Sequence, residues 1–114
     1  MTRKDRSATE KVSVLETSEL QLQGLSSGSL IDDAVFTSEI PDTRVGQLYV
    51  VTLDSGEAGL FLNDDGTMVK VAGNALFTIT VTTDAKVNVY FASDVLKIEN
   101  KAGSTKTATI KALL

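Results

Sequence analysis

Val45-Gly46-Gln47-Leu48-Tyr49-Val50-Val51-Thr52-Leu53, followed by Gly59-Leu60-Phe61-Leu62-Asn63-Asp64-Asp65-Gly66-Thr67-Met68-Val69-Lys70-Val71, reads as β segments joined by turns. Leu48 to Leu53 is almost continuously apolar, as in a strand covered on both faces. Asp54-Ser55-Gly56-Glu57 supplies a turn after it. Gly59 to Leu62 and Thr67 to Val71 flank Asn63-Asp64-Asp65-Gly66. Asn, Asp and Gly tolerate the positive φ of a tight hairpin loop, so this segment is predicted to be a β-hairpin.

Outward from this unit, the C-terminal part repeats a period of two. Phe77, Ile79 and Val81 alternate with Thr78, Thr80 and Thr82, predicting a strand over Leu76 to Thr83. Val87, Val89 and Phe91 alternate with Asn88 and Tyr90, and Thr83-Asp84-Ala85 is short enough to make the two runs an antiparallel hairpin. Leu96 and Ile98 give a further short strand, with Asn100 to Ser104 as its turn. Ala108, Ile110 and Ala112 then mark one face of a last strand. The pattern predicts an all-β fold: a small antiparallel β-sandwich or barrel-like body over residues 46–114, preceded by an extended N-terminal arm and linker over residues 1–45.

The first 45 residues lack a sustained period. Val12 and Val14 alternate, as do Leu20 and Leu22, yet Val12, Leu15 and Glu16 also fit a helical start capped by Ser7 or Thr9. Ser26-Ser27-Gly28-Ser29 and Pro41-Asp42 read as linker or turn. Too few apolar residues are present for a second core. An arm of this kind finds burial on another surface or another copy, and Val12, Val14, Leu20 and Leu22 are its candidate partner-binding anchors.

At 114 residues the chain fits one domain and one core. It contains no His, Cys or Trp, which removes the commonest general base, the thiolate and the commonest sugar-stacking ring together. No apolar run is long enough to cross a bilayer as a helix, and Met1 to Arg6 lacks the apolar stretch of a signal peptide, so the expectation is a soluble protein with no membrane partner. Charge is segregated: residues 1–11 carry a net +2, residues 12–69 a net −9 and residues 70–114 a net +3. One short basic arm on an acidic chain argues against nucleic acid as a partner, since affinity there comes from Lys and Arg neutralising phosphates.

Candidate chemistry is thin. An EF-hand loop with Gly66 at its sixth position would place Phe61 at the first ligand position and Ala72 at the bidentate glutamate position, so no metal site is expected at the hairpin tip. Asp32-Asp33 and Asp64-Asp65 are adjacent acids in predicted loops, and neighbours on a strand point to opposite faces. The glycines form neither a dinucleotide fingerprint nor a P-loop, and no Ser-x-x-Lys block is present. The expectation is therefore a protein that is not an enzyme and takes no cofactor.

Gly46-Gln47-Leu48-Tyr49-Val50, Gly59-Leu60-Phe61-Leu62, Asn63-Asp64-Asp65-Gly66 and Met68-Val69-Lys70-Val71 together resemble a short β unit of tailed-bacteriophage fibre and head-decoration proteins. Met68 stands where that unit often has an aromatic residue, and the match spans about a quarter of the chain. Leu76 to Leu113 is similar in pattern to bacterial-type immunoglobulin-like modules carried by phage virion proteins. The resemblance implies a capsid decoration (cement) protein on the outer capsid surface of a virion. It further implies the major capsid protein as partner, a homotrimer, and Leu48, Tyr49, Phe61 and Val69 as core or intersubunit residues. A tail-fibre or baseplate adaptor and a bacterial immunoglobulin-like surface binding module are the alternatives.

Overall fold

Alternation, turn chemistry and a shared apolar face resolve into nine strands in the computed structural model, which describes residues 24–113. They are β1 (Leu25–Leu30), β2 (Val35–Pro41), β3 (Leu48–Leu53), β4 (Ala58–Asp64), β5 (Thr67–Gly73), β6 (Phe77–Thr78), β7 (Val87–Ala92), β8 (Val95–Asn100) and β9 (Lys106–Leu113). The protein is all-β, with no helix among the described residues. A five-stranded sheet has the order β1-β9-β3-β4-β5 and a four-stranded sheet the order β2-β8-β7-β6. All pairings are antiparallel except β6 with β7.

The two sheets share one core. Tyr49, Val51, Phe61, Ala108 and Ile110 enter it from the five-stranded sheet, and Phe77, Val87, Val89, Leu96 and Ile98 from the other. Phe61 meets Phe77 edge to face, with ring centroids 5.7 Å apart and planes at 80°, the arrangement that the ring quadrupoles favour. Gly59 makes this contact possible. A Cβ there would stand 2.8 Å from the Phe61 ring and 3.0 Å from that of Phe77, closer than packed carbons allow.

The hairpin predicted at Asn63 to Gly66 is present. Asp64 pairs with Thr67, and Asp65 (φ 54°) and Gly66 (φ 85°) form the two-residue loop, both in the left-handed region that suits a primed hairpin turn. Strands β7, β8 and β9 also lie where the alternation put them.

Elsewhere the structure corrects the sequence. Residues 25–41, placed in the arm, belong to the body: β1 pairs with β9 at the edge of one sheet, and β2 pairs with β8 at the edge of the other. Both strands are interrupted where their serines replace ladder hydrogen bonds. Ala108 N donates to Ser27 Oγ at 2.9 Å across the irregularity in β1, while Ser38 Oγ donates to Leu96 O at 2.7 Å and accepts from Ile40 N at 3.1 Å in β2. Pro41 closes β2 on an edge, where its missing N–H costs least. Val12, Val14, Leu20 and Leu22 lie outside the described residues.

The strand predicted over Leu76 to Thr83 shrinks to Phe77–Thr78, parallel to β7, so residues 83–85 do not turn a hairpin. Threonine hydroxyls capture the backbone locally: Thr80 N donates to Thr78 Oγ1 at 3.0 Å and Thr83 Oγ1 donates to Thr80 O at 2.8 Å. Glu99 takes the Thr82 N–H at 2.7 Å and the Asn88 amide at 2.9 Å, pulling the segment off the ladder. Asn88 and Tyr90, on the face of β7 opposite Val87 and Val89, are buried as well.

Tyr49 is fully buried and its hydroxyl has no hydrogen-bond partner. Burial raises its pKa above the ordinary 10, against weaker downward pulls from Arg44 and Asn63. Burial also raises that of Tyr90, helped by Glu99. A phenol whose folded pKa exceeds its unfolded one stabilises the fold fully below pH 10 and loses that contribution as pH rises through the folded value. Tyr49→Phe is therefore expected to hold or raise stability at pH 7, by up to about 1 kcal/mol, because it deletes an unpaired buried hydroxyl. It should also reduce the stability lost above pH 10. Urea unfolding of both proteins at pH 7 and pH 10.5 checks this, and a loss above about 2 kcal/mol at pH 7 would contradict it.

Candidate functional site

Two features stand out on the surface: an acidic tip and an apolar sheet face. Asn63, fully buried at the end of β4, builds the tip. Its amide donates to Asp42 O at 2.9 Å, its side-chain oxygen accepts from Gly66 N at 2.7 Å, and its backbone pairs with Gly46 N and Gln47 O. These bonds hold the 42–47 loop against the hairpin turn. Between them lies an open cleft of about 270 Å³ lined by Asp42, Thr43, Val45, Asp65 and Gly66.

The cleft offers little chemistry. Asp42 and Asp65 border it together with the Thr43 hydroxyl, and no three carboxylates come together among the described residues. The other acid pair is structural. Asp32 Oδ1 accepts from Gly103 N at 2.9 Å, and Asp33 bonds Lys101 Nζ at 2.9 Å, so the two acids tie the β1–β2 turn to the β8–β9 turn. That bond holds Lys101 above its usual pKa. Asn100, fully buried, completes the clasp by donating to Leu30 O and Ser104 O, both at 2.8 Å.

The outer face of the five-stranded sheet is different in kind. Since Tyr49, Val51 and Phe61 point into the core, Leu48, Val50, Leu60 and Leu62 point away from it. Register lines them up across the strands. Leu113, Leu48, Leu62 and Val69 form one row on β9, β3, β4 and β5, and Lys111, Val50, Leu60 and Ala72 form the next. Leu48, Val50, Leu60, Leu62 and Val69 are half-buried, while Leu113 keeps 41% of its surface exposed. Val71, at the irregularity in β5, keeps 51%.

This face divides the four residues that the sequence grouped as core or intersubunit. Tyr49 and Phe61 lie inside the core, whereas Leu48 and Val69 lie in the outer apolar row. Against the expectation that β3 is covered on both faces, Tyr49, Val51 and Leu53 are buried on its inner face, while Leu48 and Val50 on its outer face are half-buried and Thr52 is exposed. The signal for the outer face was in the sequence, in the unbroken apolar run of β3 and in Leu60-Phe61-Leu62. The buried roles of Asn63, Asn88 and Asn100 carried no such signal, because asparagine in a turn-rich segment reads as a turn residue.

Compared with protein-family models, curated protein sequences and solved structures, the chain matches none of them.

Asn63→Ala is expected to destabilise the protein by about 2–4 kcal/mol, since it removes two hydrogen bonds and strands Asp42 O and Gly66 N. Asp65→Asn should stay within about 0.5 kcal/mol, because Asn tolerates the same left-handed loop position. Denaturant midpoints of the two variants check the contrast.

Proposed function

We propose that this protein is a structural binding module, a capsid decoration (cement) protein of a tailed bacteriophage, that grips its partner through apolar surface rather than by chemistry. The observation that carries the binding reading is the double row of apolar side chains on an outward sheet face, because contiguous exposed apolar patches mark interaction sites. The step from binding module to capsid rests on the resemblance of residues 46–71 to phage fibre and decoration proteins. On this reading the partner is the major capsid protein and the location is the outer capsid surface.

Magnitudes explain why such a protein would act as an oligomer. Covering ~400 Å² of apolar surface contributes about 10 kcal/mol, while association costs about 4–15 kcal/mol, so a single footprint roughly breaks even. Joining three footprints in a homotrimer turns the second and third contacts into intramolecular events, and avidity then supplies what one contact lacks. The contribution to the shell is mechanical: buried interface spanning neighbouring capsomers must be lost before they part.

Co-sedimentation with empty capsids of the parent phage tests this. The protein should pellet with shells, and Leu62→Glu or Val50→Glu should weaken pelleting at least tenfold while leaving the core intact, since both side chains face outward. A protein that stays in the supernatant at every concentration would refute the capsid assignment. Labelled protein found on the tail instead of the head would favour the tail-adaptor alternative.

A further inference from the structure

We infer that two copies of this protein pair face to face through the outer side of the five-stranded sheet, about a two-fold axis over Leu48 that sets Lys111 of each copy against Asp64 of the other. The inference does not rest on the capsid assignment. On that reading the pair is a resting form, which has to part before the face meets another surface.

The sheet edges narrow the choice, because a second copy can also join a β protein by strand addition. Every edge here is blunted. β1 is irregular between Ser26 and Ser29, β2 between Thr37 and Pro41, and β5 at Val71, while β6 is only two residues long. Strand addition needs a regular row of free backbone groups, so the face is left as the route to a second copy.

Area sets the strength. Five strands of six or more residues, about 4.8 Å apart and rising about 3.3 Å per residue, make a face of roughly 24 by 20 Å. Two such faces bury on the order of 1,000 Å² together, the lower limit for a specific interface, so the pair forms at high concentration and is lost on dilution. Its centre is apolar, and its rim is polar, with Thr52 and Thr109 at one end and Asp64 and Thr67 at the other.

Charge sets the alignment. Lys111 lies on β9 in the row of Val50 and Leu60, and Asp64 lies four residues beyond Leu60 on β4, on the same outward face. Both are exposed, and neither belongs to an ion pair among the described residues. Leu48, on the strand between them and level with Leu62, stands midway along the line that joins them. A two-fold axis crossing that line at Leu48 exchanges its two ends. Each Lys111 then meets the other copy's Asp64, Leu48 meets its own counterpart, and Leu62 comes beside the other copy's Val50. The strands of the two copies cross at roughly 70°, nearer to the orthogonal than to the aligned class of sheet packing. An ammonium carried into an apolar contact with no acid opposite would oppose the contact by its desolvation, and the rotation that stacks the leucines also supplies that acid.

Sedimentation equilibrium of the full-length protein, from micromolar to near-millimolar, should show monomer and dimer in exchange. Lys111→Asp and Asp64→Lys should each weaken the dimer at least tenfold, and the double variant, which swaps the two charges, should recover it to within about threefold. Both positions are exposed, and circular dichroism verifies each fold. The chain has no cysteine, so Leu48→Cys reports on the axis without background. Packed sheets stand about 10 Å apart, a span for a short bis-maleimide, which should join two copies at this position. Glu39→Cys, exposed on β2 of the other sheet, should give at least tenfold less linked dimer. A monomer across the whole concentration range, or a trimer in place of the dimer, would overturn the inference. So would a double variant no better than the single ones, or equal linkage at positions 48 and 39. Pelleting with capsids is read separately, so either reading can fail while the other stands.

Discussion

Strands β3 and β4 are apolar on both faces, and a single core can accept only one of them. Burying Tyr49, Val51 and Phe61 against Val89, Leu96 and Ile98 obliges Leu48, Val50, Leu60 and Leu62 to point outward, because successive side chains on a strand alternate. A one-residue slip would not relieve this, since it would exchange one apolar set for another and expel the aromatic rings. The ring contact of Phe61 with Phe77 over Gly59 settles which set goes in: the inner surface at β4 has room for two edge-to-face rings only where a residue without a side chain stands beside them. The outer rows are thus a consequence of how the core closes, and they are the surface that function has to use or hide.

What the sequence revealed follows the same physics. Residues whose identity states their environment were legible: Asp65-Gly66 demands a left-handed loop, and Val87, Val89, Leu96, Ile98, Ala108 and Ile110 demand a core. The edge strands were not legible. Leu25-Ser26-Ser27-Gly28-Ser29-Leu30 and Val35 to Pro41 offer little alternation, and their serines and proline carry the composition of a linker. In the folded chain those serines do the work of backbone groups at irregularities, a role that depends on partners 58 and 81 residues away. Local pattern cannot contain such information.

The opposite error occurred at residues 79–83, where the alternation of Ile79 and Val81 with Thr80 and Thr82 promised a strand. Threonine favours strands partly because its branched side chain suits the pleat, but its hydroxyl also binds nearby backbone, and here the second tendency prevailed. The decisive weight came from Glu99. A buried carboxylate needs donors, and the Thr82 N–H and the Asn88 amide provide them only if the chain leaves the ladder after Thr78. Ile79 and Val81, freed from the sheet, are left exposed.

The candidate surface was half legible for a related reason. The apolar run of β3 announced two covered faces, and the described residues provide one cover. Two solutions are physically available to such a strand: a partner, or another part of the same chain. Either one would exchange water for apolar contact over both rows, which is the gain that a sheet face of this composition offers to whatever covers it.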